Sequence, residues 1–203
     1  MTYLKTCIAV LLLASTLLWA SVQVLGLSTS TSISLEIKAS LLCKLNLIVH
    51  PEKRIPRTGN WGTLLIVYIY KDAQKIASAT ARSDDQGAAT FDFCPQNITF
   101  DAGNYNIAIK GLSHLCKYFP QVRAFDSDSQ IVDLTVGNKV LFAGETSNVF
   151  DDKINSLDAS TQIRAFYNTN DEKNDLNRDG KVNSLDFSNT IYNFYDLGDG
   201  SCR

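Results

Sequence analysis

Oxygen-bearing side chains recur at fixed intervals near the end of this 203-residue chain. Asp175, Asn177, Asp179, Asn183 and Asp186 stand at positions 1, 3, 5, 9 and 12 of one stretch, with Gly180 at position 6. That spacing is the ligand pattern of a calcium loop of the EF-hand kind, with aspartate in place of the usual closing glutamate. A hard divalent cation takes six or more oxygens at about 2.3–2.6 Å. The loop offers its five side chains, Asn183 directly or through water, together with the carbonyl of Lys181. Gly180 permits the sharp turn that a Cβ would hinder. Three carboxylates held this close repel one another without a metal, so the ion is expected to be part of the fold.

The loop is half of an internal repeat. Lys153-Ile154-Asn155-Ser156-Leu157-Asp158 recurs as Lys181-Val182-Asn183-Ser184-Leu185-Asp186. Downstream, Ile163, Phe166 and Tyr167 fall where Ile191, Phe194 and Tyr195 fall. Apolar residues at i, i+3 and i+4 predict a helix with one apolar face in each copy. Each unit reads as a loop followed by a helix, and two such units can bury together what neither can bury alone.

The first copy departs from the pattern. Counted back from Asp158 as position 12, Asn155 is position 9, Asp152 position 6, Asp151 position 5, Val149 position 3 and Ser147 position 1. Valine cannot ligate through its side chain. An inserted pair of residues would instead make Glu145 and Ser147 the early donors and Asp151 or Asp152 the middle one. Asp151, Asn155 and Asp158 are the candidate ligands in this copy. The site is expected to bind more weakly than the second, or to be a degenerate loop held by packing.

The duplicated Asn-Ser-Leu-Asp core and its loop, over roughly Gly144 to Leu197, resemble a type I dockerin, the small calcium-dependent docking module of cellulosomes and related extracellular assemblies. The resemblance implies two Ca2+ sites, the first degenerate, two antiparallel helices and a cohesin-like protein partner. It also implies that the residues before the last ligand, Ser156 and Leu157 in one copy and Ser184 and Leu185 in the other, help set partner recognition. A plainer reading has Leu157 and Leu185 packing beneath the helix starts, with Ser156 and Ser184 as capping groups.

The elements ahead of this module read as β-structure. Leu45–Val49, Leu64–Tyr70, Ile76–Ala81, Ala88–Phe93, Tyr105–Lys110 and Ile131–Val136 are rich in branched and aromatic residues. Turn signals separate them at Arg57–Asn60, Asp84–Gly87 and Asp101–Asn104. Such spacing predicts an antiparallel β-sandwich of about a hundred residues. Asp85-Gln86-Gly87-Ala88-Ala89-Thr90-Phe91 and Ala102-Gly103-Asn104-Tyr105-Asn106-Ile107 resemble the hallmark of prealbumin-like sandwiches, among them the carboxypeptidase regulatory-like and Cna-B-type domains. The resemblance implies a structural role for Tyr105 at a strand start. The expected class is therefore multidomain β plus α: a sandwich over 34–140 and a dockerin-like module over 141–203.

The first residues read as a targeting segment. Lys5 precedes an apolar run from Cys7 to Ala20, with small residues at Ala20, Ser21 and Gly26. Residues 1–27 are a secretory signal, cut after Ala20 or Gly26, or else an uncleaved membrane anchor. A polar linker follows over 28–33. An extracellular, secreted or surface-anchored protein is expected, and with it paired cysteines. Cys43, Cys94, Cys116 and Cys202 allow three connectivities.

Catalysis finds no support in the residue pattern. The two histidines, His50 and His114, have no visible nucleophile partner, and Glu36, Asp92 and Asp133 form no recognisable acid–base pair. With 19 basic against 21 acidic residues scattered along the chain, nothing points to nucleic acid. Trp61, Tyr68 and Tyr70 could stack on a sugar, or simply alternate between a core face and an exposed face. The expected function is non-enzymatic docking with the sandwich as spacer or ligand module. A carbohydrate-binding role within a polysaccharide-degrading assembly and a purely structural calcium cap are the alternatives.

Overall fold

The computed structural model describes residues 42–52, 61–136 and 139–202. The targeting segment, the linker, Glu36 and the turn at 57–60 lie outside the described residues. Nine strands are formed among those described: β1 (Lys44–Ile48), β2 (His50–Pro51), β3 (Leu64–Lys71), β4 (Gln74–Arg82), β5 (Ala88–Asp92), β6 (Gly103–Gly111), β7 (Lys117–Ala124), β8 (Ile131–Asp133) and β9 (Val140–Leu141). Two helices follow, α1 (Ser156–Arg164) and α2 (Ser184–Tyr192). No helix among the described residues is long and apolar enough to cross a membrane.

One sheet has the order β5-β1-β8 and another the order β4-β3-β6-β7, while β2 and β9 form a short pair. Alternation decides which side chains turn inward. Leu45 and Leu47 of β1, Leu65, Val67 and Ile69 of β3, and Ile107 and Ile109 of β6 are all buried in one core shared by the two larger sheets. Phe93, Phe100, Tyr105 and Phe125 close one end through stacked and edge-to-face contacts. The Tyr105 hydroxyl donates to the carbonyl of Asp101 at 2.7 Å, which ties the turn to the start of β6.

Two details differ from the antiparallel expectation. β1 pairs with β8 in parallel, and β2 with β9 likewise. The chain leaves β7 on one sheet and crosses to the other before entering β8, a crossover of the sort that a parallel pair requires. β7 carries no strand signal because Pro120 interrupts it. Proline is tolerated there because β7 lies at the sheet edge. Gly87, at φ +80°, sits where a Cβ would come within 2.2 Å of the Val49 carbonyl.

β6 is buried on both faces from Ala108 onward. Its inner face meets the core, and its outer face is covered by the C-terminal segment. Residues from Leu42 to the end form one compact unit. Two disulfides, Cys43–Cys94 and Cys116–Cys202, select one of the three connectivities. The second staples the tail to the end of β6–β7. Backbone bonds reinforce it: Asp199 N–H donates to Cys116 O at 3.0 Å, and Tyr118 N–H to Asp199 Oδ2 at 2.7 Å.

Cys116 and Cys202 are separated by 86 residues, so their cross-link removes much freedom from the unfolded chain. The Cys116→Ser/Cys202→Ser variant is expected to lose about 2–5 kcal/mol in urea unfolding. An unchanged midpoint under non-reducing conditions would contradict the staple.

Candidate metal centre and docking face

Each helix begins at an asparagine. Asn155 and Asn183 are the N-caps, and their side-chain oxygens accept the N–H of Leu157 and Leu185 at 2.8 Å. Ser156 and Ser184 are the first helical residues and not the caps. Asp158 and Asp186 complete the capping boxes, each accepting the N–H of its asparagine on Oδ2 at 2.9 Å. Their other oxygens reach back to the loop entry. Asp186 Oδ1 accepts from Leu176 at 2.8 Å and Asn177 at 3.2 Å, and Asp158 Oδ1 accepts from Thr146 and Ser147, both at 2.8 Å. Both carboxylates are fully buried.

These bonds set the register of the first loop. Leu176 and Asp186 are ten residues apart, whereas Thr146 and Asp158 are twelve apart. The first loop thus holds two extra residues, and Glu145 and Ser147 stand where Asp175 and Asn177 stand. Position 6 agrees. Asp175 Oδ2 accepts from Gly180 at 2.8 Å, as Glu145 Oε1 accepts from Asp152 at 3.1 Å. Both acceptor-facing residues have positive φ, +89° at Gly180 and +60° at Asp152.

The second loop brings its donors to one place. The amides of Asn177 and Asn183 both reach Asp179 Oδ2 at 3.2 Å, and Asn183 also approaches the Lys181 carbonyl at 3.5 Å. The Asn183 oxygen is held by the Leu185 N–H at 2.8 Å, so this residue would reach an ion through a water, as position 9 often does. Among the described residues, one group of three thiol or acidic donor atoms lies within 4.8 Å, Cys43, Asp92 and Cys94, and its sulfurs are spent in a disulfide. The carboxylates of Asp175, Asp179 and Asp186 are spread more widely. Opposed ligands of calcium stand about 4.6–5.2 Å apart, so three acidic oxygens with neutral oxygens between them need not all lie within 4.8 Å of one another. Asp175, Asp179 and Asp186 make no ion pair with the described residues. Arg178, in the same loop, turns outward to Glu172 and the Gly62 carbonyl. Burial pushes the Asp186 carboxyl up. Burial also raises that of Asp179, but hydrogen bonds from Asn177, Asn183 and Lys181 outweigh it and hold the group below its ordinary value. This donor set fits calcium, with Asp175, Asn177, Asp179, the Lys181 carbonyl, Asn183 and Asp186 available to it.

The first loop is built from a different set. Asn155 reaches Asp151 Oδ2 at 3.0 Å, matching the second loop. Glu145, however, is buried against the Lys110 ammonium, and the Ser147 hydroxyl donates to the Val149 carbonyl at 2.8 Å. Asp152 is committed elsewhere: Oδ1 accepts from Cys116 at 2.7 Å and Oδ2 from Gly200 at 3.1 Å. These residues do not fit a calcium site of the kind in the second loop. Neither Lys110 nor the clasp role of Asp152 is visible in sequence spacing, because both depend on what covers the outer face of β6.

The copies complete each other through backbone. Val182 O accepts from Tyr167 at 2.9 Å and Val182 N–H donates to Asn168 at 3.0 Å. Ile154 makes the same pair with Tyr195 and Asp196, at 2.9 and 3.0 Å. Each loop is therefore paired with the chain leaving the other copy's helix. The helix faces are not as the apolar pattern predicts. Ile163, Tyr167, Ile191 and Tyr195 are exposed, and the buried helical positions are Asp158, Gln162, Asp186 and Thr190. Ile154, Leu176 and Val182, all in loops, supply the apolar contact instead, with Phe166 edge-on to Phe187. Leu157 and Leu185 are also exposed, at 49% and 57%, and do not pack beneath the helix starts.

Trp61, Tyr68 and Tyr70 form no exposed platform. Trp61 is buried and stacked on His50 at 4.3 Å, and the Tyr70 hydroxyl donates to the Ser201 carbonyl.

Fold and loops together define a duplicated loop–helix module fastened to a β domain. Residues 149–193 match the family described as the Dockerin type I domain. Two solved structures are similar to the longer unit, both of the type II cohesin–X-dockerin complex of Acetivibrio cellulolyticus. An N-terminal interface mutant is 16% identical, with a TM-score of 0.54, and a C-terminal interface mutant is 18% identical, with a TM-score of 0.51. Each comparison covers 76% of this chain and 97% of the other. No curated protein matches the chain in sequence. A type I dockerin domain over residues 149–193 is thus supported by the family match, and the longer unit resembles these structures in fold.

Glu172 bridges Arg82 of β4 and Arg178 of the second loop. The Arg82 hydrogen bond chiefly, with Arg178, lowers its carboxyl from 4.5 to about 2 against the opposing effect of burial. A depressed folded value means stability that is full above 4.5 and lost as pH falls through about 2. Wild type is expected to melt higher than Glu172→Gln by a constant margin from pH 5.5 to 8, and the margin should shrink between pH 4.5 and 2. A margin that does not depend on pH would refute the bridge.

Proposed function

We propose that this chain is an extracellular, non-enzymatic docking protein whose second loop binds calcium and whose helices present a surface to a cohesin-like partner. The convergence of Asn177 and Asn183 on Asp179, in a loop whose carboxylates make no ion pair with the described residues, is the observation that carries the calcium reading. The bound ion would supply charge neutralisation, letting the loop hold three acidic groups beside the start of α2. The chain's own residues do the rest. Asp186 closes the loop onto its helix, and Asn183 caps that helix.

The exposed residues support a docking face. Leu157, Ile163 and Tyr167 in one copy recur as Leu185, Ile191 and Tyr195 in the other, and all six are exposed. Ser156 and Ser184 sit beside them at the helix starts. Exposed apolar side chains clustered on one small module are a common sign of a protein partner. The β domain, a sandwich of the prealbumin-like kind over 34–140, serves as a rigid platform for the module over 141–203. The cross-linked cysteines support residence outside the cell. There, calcium at about 1 mM against a site of about 10 μM would add about 2.7 kcal/mol of stability.

The test is calorimetric titration of the chelator-treated protein with calcium, followed by capture on immobilised type I and type II cohesin domains with calcium or with chelator. Calcium uptake is expected in wild type and lost in Asp179→Ala. Cohesin capture is expected only with calcium, and Leu157→Asp/Leu185→Asp should reduce it at least tenfold while leaving calcium uptake intact. Absence of calcium uptake, or capture indifferent to chelator, would reject the reading.

A further inference from the structure

A cation is already paired with the position-1 carboxylate of the first loop. Lys110 lies on β6, and its ammonium reaches the carboxylate of Glu145, the position-1 residue of that loop. It also donates to the His114 carbonyl at 3.2 Å and stands 3.6 Å from Asp152 Oδ1, at position 6. Lys110, Glu145 and Asp152 are all buried. The ammonium and Asp152 lie at the wall of an apolar cleft of about 250 Å³, lined also by Leu64, Ile66, Leu112 and Phe150. Both side chains are almost withdrawn from solvent, which raises the cost of leaving either charge unpaired.

The insertion contributes an aromatic contact. Phe150 lies in the segment that gives this loop its two extra residues. The Lys110 ammonium is 5.8 Å from its ring centroid and the Lys173 ammonium 4.9 Å. Lys173 also donates to the Ser147 carbonyl at 2.6 Å, at position 3. Two lysines therefore lie against the half of the loop in which the second copy offers Asp175 and Asn177. A divalent ion entering beside Glu145 would meet an ammonium already paired there.

We infer that the Lys110 ammonium takes the place of a metal in the first loop, so that the protein binds a single calcium ion, in the second loop. The inference rests on the calcium reading of that second loop. It makes one half of the module calcium-independent: a lysine of the β domain, the clasp of Asp152 and the Cys116–Cys202 staple order it. The other half waits for the ion.

Native mass spectrometry of the whole protein, titrated with calcium and paired with thermal melts, tests this. One ion per chain is expected, and none in Asp179→Ala. Two ions per chain in wild type, with one surviving Asp179→Ala, would overturn the inference while sparing the calcium reading. No ion in wild type would overturn both. Lys110→Met should lower Tm by about 10 °C, equally with calcium and with chelator, because it strips a buried ion pair that no metal shares. A loss confined to the calcium-loaded protein would count against the inference. Should Lys110→Met not fold, Lys110→Met/Glu145→Gln removes both charges and is expected to regain folding and still bind one ion. A second ion in that variant, which lacks the position-1 charge, would also overturn the proposal.

Discussion

A buried carboxylate at the last position of each loop holds the module together. Asp158 and Asp186 are out of contact with solvent, and each spends its oxygens on three backbone N–H groups from two segments of chain. A charge so placed is tolerated because three of its about four acceptor sites are hydrogen-bonded. The helix start, the loop entry and the loop's closing turn are thereby fixed relative to one another. Everything else in the module follows from how the remaining negative charge of each loop is balanced.

The two copies share one backbone plan and differ in that balance. In the second, Gly180 turns the chain freely and the carboxylates make no ion pair with the described residues. In the first, Asp152 occupies the same left-handed position at some conformational cost. It offsets that cost by binding Cys116, Gly200 and the environment of Lys110. Gly198 is required opposite it, since a Cβ there would fall 2.1 Å from Asp152 Oδ1. Duplication thus supplied two equal frames, and contact with the β domain made one of them a structural joint. The reciprocal pairing of Ile154 and Val182 with the far copy ties the two frames to each other.

Much of this was legible in the residues. The strands with clean two-residue alternation were readable, as was the duplicated loop, because a short-range pattern determines each. β7 was hidden by Pro120, and the parallel pairing of β1 with β8 follows from a crossover that no local signal reports. The helical faces misled for a physical reason. Apolar spacing normally marks a buried stripe, yet here Gln162, Thr190 and Asn193 are buried, and the Gln162 and Asn193 side chains bond to backbone carbonyls of Asn174 and Ala143. The apolar stripe was left outside. Lys110 could not be read at all, since its neighbours on the strand are apolar and its partner lies 35 residues away.

The central claim is that two equivalent loops are neutralised differently, one by an ion and one by a lysine. Anomalous diffraction at long wavelength from crystals grown with calcium tests it directly. The account predicts one calcium peak, enclosed by Asp175, Asp179 and Asp186, with Lys110 against Glu145. A peak bounded by Glu145, Asp151 and Asp158, with the Lys110 side chain turned away, would contradict it.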